Sequence, residues 1–151
     1  MRVEIDEKDK KILDVLIVNS NLSIQQISKK TGIPITTVHN RIKKLRKKGI
    51  IKNYTISLDY QKLGRNVLAY VLVNVNQKSI NEADFSQVDL MKVFKKYECV
   101  EEASLITGTA DVILKVRFEN LDQLSDFILN NVRTKNNFVG NSQTLIVLRS
   151  M

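Results

Sequence analysis

A chain of 151 residues has room for one domain or two small ones, with apolar content sufficient for true cores. Its formal net charge of +8, from 24 Lys+Arg against 16 Asp+Glu, points to a polyanionic partner, and no apolar run approaches the roughly 18 residues of a membrane span. One cysteine, Cys99, excludes an intramolecular disulfide, and with His39 as the one histidine no metal-ligand cluster can be written.

The start M-R-V-E-I-D-E-K-D-K is too charged for a signal peptide, so a reduced, cytoplasmic location is expected. The charge is unevenly distributed. Met1 to Gly64 carries 14 Lys+Arg against 6 Asp+Glu, whereas Arg65 to Met151 carries 10 of each. Two domains are therefore expected, 1–64 and 65–151, of which only the first meets the polyanion.

Asp6 precedes a segment in which Ile5, Ile12, Leu13, Leu16 and Ile17 recur at helical spacing, with acidic residues in the first turn to suit the helix dipole. This predicts a first helix ending near Asn19. Ser23-Ile24-Gln25-Gln26 has the form of a capping box and opens a second, with Ile24 and Ile27 inward and Gly32 as its left-handed stop. A tight turn follows, and Pro34 lies at the start of a third helix, where its missing N–H costs little.

In that third helix Ile35, Val38, Ile42 and Leu45 fall on one stripe, which is expected to be buried. The opposite face carries Thr36, Thr37, Asn40, Lys43, Lys44 and Lys47. Taken alone the stretch also fits a solvated basic face, but the two capped helices before it complete a helix-turn-helix, whose second member lies in the DNA major groove. Thr36, Thr37 and Asn40 are then candidates for base contacts, Asn40 by a bidentate bond to adenine, and Lys43, Lys44 and Lys47 for phosphates. His39 and Arg41 lie on the shoulders of the helix. Arg41 is read as a phosphate clamp or a bridge to the first helices, and His39 as a structural or backbone contact. After Gly49, residues 50–59 are strand-like and form either a short wing or the connector leaving the domain.

The second half changes period. Residues 65–75 are apolar on both alternating faces, the pattern of a doubly buried strand. A loop at 76–81 is expected next, then a helix with Leu90, Val93, Phe94 and Tyr97 inward. Strands at 100–107 and 111–118 form a hairpin about Gly108-Thr109-Ala110. Asn120 caps a further helix with Leu121, Leu124, Phe127 and Ile128 inward, and 142–149 is a last strand. The β-α-β-β-α-β order predicts an α+β, ferredoxin-like domain with both helices on one face of the sheet. Leu68, Tyr70 and Leu72 share one side of the first strand and Val71, Val73 and Val75 the other, so neither side reads as solvated, and the face left bare by the helices is covered either by a second copy, giving a homodimer, or by the chain's own first domain.

Four stretches, D-E-K-D-K-K-I-L-D-V-L, T-T-V-H-N-R-I-K-K-L-R-K-K-G-I-I, Y-T-I-S-L-D-Y-Q-K-L-G and T-G-T-A-D at 107–111, follow in an order and spacing that resembles the Lrp/AsnC, or feast/famine, transcriptional regulators. The resemblance covers essentially the whole chain. It implies a plain or winged helix-turn-helix domain, then a ferredoxin-like (RAM/ACT-like) sensing domain, and a double-stranded DNA partner. It also implies dimers that assemble further into tetramers or octamers. It implies an amino acid or related effector bound between subunits near Gly108, Thr109 and Asp111, with no resident cofactor and no catalytic residue. The bland alternative is that Gly108 and Asp111 serve only the turn. Two departures stand out: Pro34 replaces a common serine, and Thr109 and Ala110 replace acidic or aromatic hairpin residues. Relatives that decarboxylate siroheme offer an enzymatic alternative, which needs protonating groups in the sensor half, whereas His39 lies in the DNA-binding half. A sensor without DNA binding is the third reading.

Overall fold

Asp6 opens α1 (Glu7–Val18) by a reciprocal cap: its carboxylate accepts the Asp9 N–H at 2.9 Å, and the Asp9 carboxylate accepts the Asp6 N–H at 3.3 Å. The computed structural model describes residues 4–134 and 137–149. α2 (Ile24–Thr31) starts at the expected Ser23–Gln26 capping box and stops at Gly32, whose φ of 69° is the left-handed conformation a glycine adopts freely. The polar backbone of the following turn is satisfied locally. Ser28 Oγ donates to the Ile33 carbonyl at 2.6 Å, and Thr31 Oγ1 accepts the Ile33 N–H at 3.3 Å.

α3 (Ile35–Lys47) begins after Pro34 without a side-chain cap. Val38, Ile42 and Leu45 are buried as expected, but Ile35 is 50% exposed. Ile35 is the first residue of the helix, and Ile33 in the preceding turn, 5% exposed, fills the core place instead. The three helices close on Ile12, Leu16, Ile27, Ile33, Val38 and Ile42. Ile17, by contrast, faces outward.

Residues 52–58 form no strand in the chain. Of the two readings, wing and connector, this is the connector. It is tied back by Ser20 Oγ, which donates to the Thr55 carbonyl at 3.2 Å. The chain divides into compact units at Met1–Leu58 and Asp59–Met151, six residues before the expected boundary. Aromatic stacking explains the shift: the Tyr60 ring lies 3.7 Å from the Arg117 guanidinium carbon, which joins the 59–64 turn to the second unit. Arg117 in turn donates to Glu101 at 2.5 Å, and Lys115 lies 3.1 Å from the same carboxylate. Burial pushes the Glu101 carboxyl up, but the Arg117 and Lys115 bonds outweigh it and hold the group below its ordinary range.

The second unit is an antiparallel sheet in the order β2-β3-β1-β4, the ferredoxin-like arrangement. Its strands are β1 (Val67–Val75), β2 (Val100–Leu105), β3 (Val112–Phe118) and β4 (Val139–Ile146). The expected loop after β1 is instead a short helix, α4 (Gln77–Glu82), because Asn76 caps it by accepting the Ser79 N–H at 3.3 Å. α5 (Gln87–Phe94) follows a Ser86–Asp89 capping box.

Asn120 caps α6 (Leu121–Asp126), and the chain runs on as a π-helix through Phe127–Thr134. Leu124, Phe127, Ile128 and Val132 are buried, whereas Leu121, expected inward, is 56% exposed in the first turn. β4 starts and ends three residues earlier than expected, since pairing with β1 from Val75↔Val139 to Ala69↔Ile146 fixes its register. Ala69, Val71 and Val73 point to the helix side with Val112, Leu114 and Val116, all essentially inaccessible. The other face presents Tyr70 beside Leu145 and Leu72 beside Ile113.

Candidate nucleic-acid interface

α3 presents the expected polar face to solvent. Thr36, His39, Asn40, Lys43, Lys44 and Lys47 are exposed, and Thr37 is half-buried. Thirteen residues at about 1.5 Å each give a rod of about 20 Å, enough to lie along a major groove. The first two turns carry Thr36 and Asn40 at the end where recognition helices meet base edges, and the cations follow toward the C-terminus.

Arg41 is occupied. Its Nη1 lies 2.5 Å from Asp6 Oδ2 and 2.9 Å from Asp9 Oδ1, so it joins α3 to the capping box of α1. Of its two readings, phosphate clamp and bridge, the geometry is that of the bridge. Asp9 is 5% exposed and is the buried charge of this unit among the described residues. A carboxylate at such a place is stable only when paired, and the guanidinium supplies the pairing. Sequence reading did not find Asp9 as a partner of Arg41. The two are 32 positions apart, and an acidic residue in a first turn is already explained by the cap.

The Arg41 guanidinium, followed by the Asp9 N–H, holds the Asp6 carboxyl below its ordinary range. A lowered folded pKa means that the native state binds its proton later than the unfolded chain as pH falls. The stabilisation is therefore present above about pH 4 and is lost as pH falls through the folded value. Thermal melts between about pH 5 and pH 3 are expected to show a steeper loss for the native chain than for Asp6→Asn, which has no carboxyl to protonate. Equal slopes would remove the pair from the account of acid unfolding.

The hairpin residues named above lie at the other functional position. Gly108 has a φ of 130°, and it and Thr109 are exposed at the tip, while Ala110 is buried. Asp111 is turned inward. Its Oδ2 accepts the Val75 N–H at 2.8 Å and its Oδ1 accepts Gln87 Nε2 at 3.2 Å, so it ties the hairpin to the end of β1 and the start of α5. Its own N–H donates to the Val73 carbonyl at 3.0 Å. Val75 and Gln87 carried no signal in the sequence, because only the fold brings them to Asp111. Among the described residues, no group of three or more His, Cys, Asp or Glu could hold a metal, and no helix is long and apolar enough to cross a membrane.

With this geometry in hand, the profile of the winged helix-turn-helix DNA-binding family matches residues 5–52, and that of the Lrp/AsnC ligand binding domain matches residues 68–151. The chain belongs to the Lrp/AsnC family. It is 35% identical over 128 residues to the HTH-type transcriptional regulator FL11 of Pyrococcus horikoshii, covering 85% of this chain and 80% of that one. It is 33% identical over 150 residues to FL11 of Pyrococcus abyssi, covering 99% and 93%. A transcriptional regulator of Neisseria meningitidis, solved as a complex with L-Met, superposes with a TM-score of 0.87 at 24% identity over 98% of this chain and 92% of that one. LrpC of Bacillus subtilis does so with a TM-score of 0.82 at 24% identity over 99% and 98%. These two structures share the Lrp/AsnC fold of both units.

Proposed function

We propose that this Lrp/AsnC protein is a sequence-specific DNA-binding transcriptional regulator that acts as a dimer or larger assembly. The observation that carries the reading is the exposed, hydrogen-bonding and cationic face of α3, mounted on a helix-turn-helix whose inner face packs on Ile12, Ile27 and Val38. Thr36, Thr37 and Asn40 read bases, and Lys43, Lys44 and Lys47 meet phosphates, with His39 at the flank. Arg41 positions the helix through Asp6 and Asp9.

A second copy covers the sheet face that carries Tyr70, Leu72 and Leu145, because an apolar face of this kind is costly in water. That places two recognition helices in one particle and calls for two half-sites. The effector is an amino acid or related small molecule at the hairpin. Gly108 and Thr109 are the contacts, and Asp111 holds the hairpin in place. The L-Met complex of the Neisseria regulator, which shares the fold, supports that ligand class.

Selection of sites from random duplex DNA by the full chain is expected to return a palindrome with half-sites about one helical turn, or a multiple of it, apart. On the selected site Asn40→Ala is expected to weaken binding by about 1–3 kcal/mol and to relax preference at one base position. Lys44→Ala is expected to weaken every sequence alike and to reduce the salt slope by about 1. Equal loss on all sequences for Asn40→Ala would remove it as a base reader.

A further inference from the structure

The two shoulders of α3 differ in charge. On the Arg41 side, the guanidinium is neutralised by Asp6 and Asp9. On the opposite side a cleft is lined by His39, Lys43, Arg46, Lys47, Lys52 and Tyr54, with no carboxylate among its lining residues. Among the described residues none of these four Lys and Arg side chains makes an ion pair, so at least four positive charges share one cleft uncompensated.

The chain path that builds the cleft is well fixed. α3 ends in a Schellman motif: the Gly49 N–H donates to the Arg46 carbonyl at 2.9 Å and the Ile50 N–H to the Leu45 carbonyl at 3.0 Å, with Gly49 at a φ of 69°. This reverses the chain and brings Lys52 and Tyr54 back beside Arg46. The Arg46 guanidinium carbon then lies 5.9 Å from the centroid of the Tyr54 ring, which limits where the guanidinium can swing. Apart from the contact of Arg46 with Tyr54, no carboxylate among the described residues pairs with these cations. Gathering them costs self-repulsion that a bound polyanion relieves.

We infer that this cleft is a phosphate clamp, in which Arg46 and Lys52, backed by Tyr54, grip the sugar-phosphate backbone of one DNA strand beside the groove that α3 enters. The assignment rests on the DNA-binding reading above and adds a direction to it. The backbone is gripped on the Arg46 shoulder, and the Arg41 shoulder faces the helix scaffold. Arg46 suits the place because its planar fork can meet two phosphate oxygens at once while stacking on a ring, which a lysine cannot do. Phosphate contacts of this kind set register and carry no base preference.

The test is fluorescence anisotropy with the full chain, on the selected duplex and on a random duplex, over a salt series. The Arg46→Ala/Lys52→Ala double variant is expected to lower the slope of log affinity against log salt by about 2, at about 0.9 per phosphate contact, and to weaken both duplexes by the same factor. Lys96→Ala, which removes an exposed charge from the second unit, is the matched control and is expected to keep the native slope. Arg46→Lys is expected to keep the slope too, since the charge remains. A double variant whose slope equals that of Lys96→Ala, in a protein that binds DNA salt-sensitively, overturns the clamp alone. A native chain without salt-sensitive binding overturns the regulator reading, and the clamp falls with it.

Discussion

Replacing Asp9 by alanine is expected to destabilise the N-terminal unit by about 2–3 kcal/mol. Two losses combine. The Asp6 N–H loses the Asp9 carboxylate, one half of the reciprocal cap, while the Asp6 carboxylate still accepts the backbone N–H of residue 9. The buried half of the Arg41 bridge also goes, and loss of one partner from a buried pair costs more than the pair contributes net. The second loss is tempered because Arg41 is partly exposed and can turn to water and to Asp6.

Asp6→Ala is expected to be the milder change, since its carboxylate is the exposed arm of the bridge. Arg41→Ala is expected to be more damaging than Asp6→Ala, because it leaves Asp9, 5% exposed, without its cation. Amide hydrogen exchange in α1 and α3 of the full chain measures each loss directly. A functional consequence follows from the geometry. The bridge ties the recognition helix to α1, so Asp9→Ala is expected to lower DNA affinity without changing the salt slope, the signature of a positioning residue. Exchange rates in α1 and α3 equal to those of the native chain would mean that the bridge holds nothing.

What was legible in the sequence was whatever short-range chemistry decides. Ser23 with Gln26, Gly32 and Gly49 each fixed a helix end within four residues, and those ends stand in the structure where they were expected. The ferredoxin-like order was legible because doubly apolar strands and 3.6-residue helices alternate. Errors came where a distant partner decides. β4 slid three residues because β1 sets its register, and the 59–64 turn changed units because Tyr60 finds Arg117 across 57 positions. Ile35 and Leu121 satisfy the period of their helices, but both sit in a first turn that projects past the core. Nothing local in F-I-L-N-N-V-R-T marks the widening of that helix to π geometry. The candidate interface divides in the same way. The polar face of α3 was read from periodicity alone, whereas the asymmetry between its shoulders needed Asp6, Asp9, Lys52 and Tyr54 placed in space.

For the hairpin the expected result is that Asp111→Ala costs the C-terminal unit about 3 kcal/mol whether or not an effector is present. Its carboxylate accepts one backbone and one side-chain N–H, from Val75 and Gln87, and bonds to a charged acceptor contribute about 1.5–3 kcal/mol each without full additivity. The Val75 bond matters most. Val75 lies where the β1–β4 register shifts, and removal of the carboxylate leaves its N–H without the acceptor it has in the native chain. Asp111→Asn retains one oxygen for that N–H and is expected to lose less. Urea unfolding of the full chain, with amide exchange at Val75, separates this from a ligand role. A residue that only touched effector would leave both measurements unchanged while abolishing the response to added amino acid. A stabilising clasp changes both in the absence of any ligand. Thr109, exposed at the tip, is then the position at which ligand response is expected to change with stability held constant, whereas the φ of 130° at Gly108 makes any side chain there strained. If Asp111→Ala unfolds at the native urea concentration, the clasp is wrong and Asp111 returns to the set of direct effector contacts.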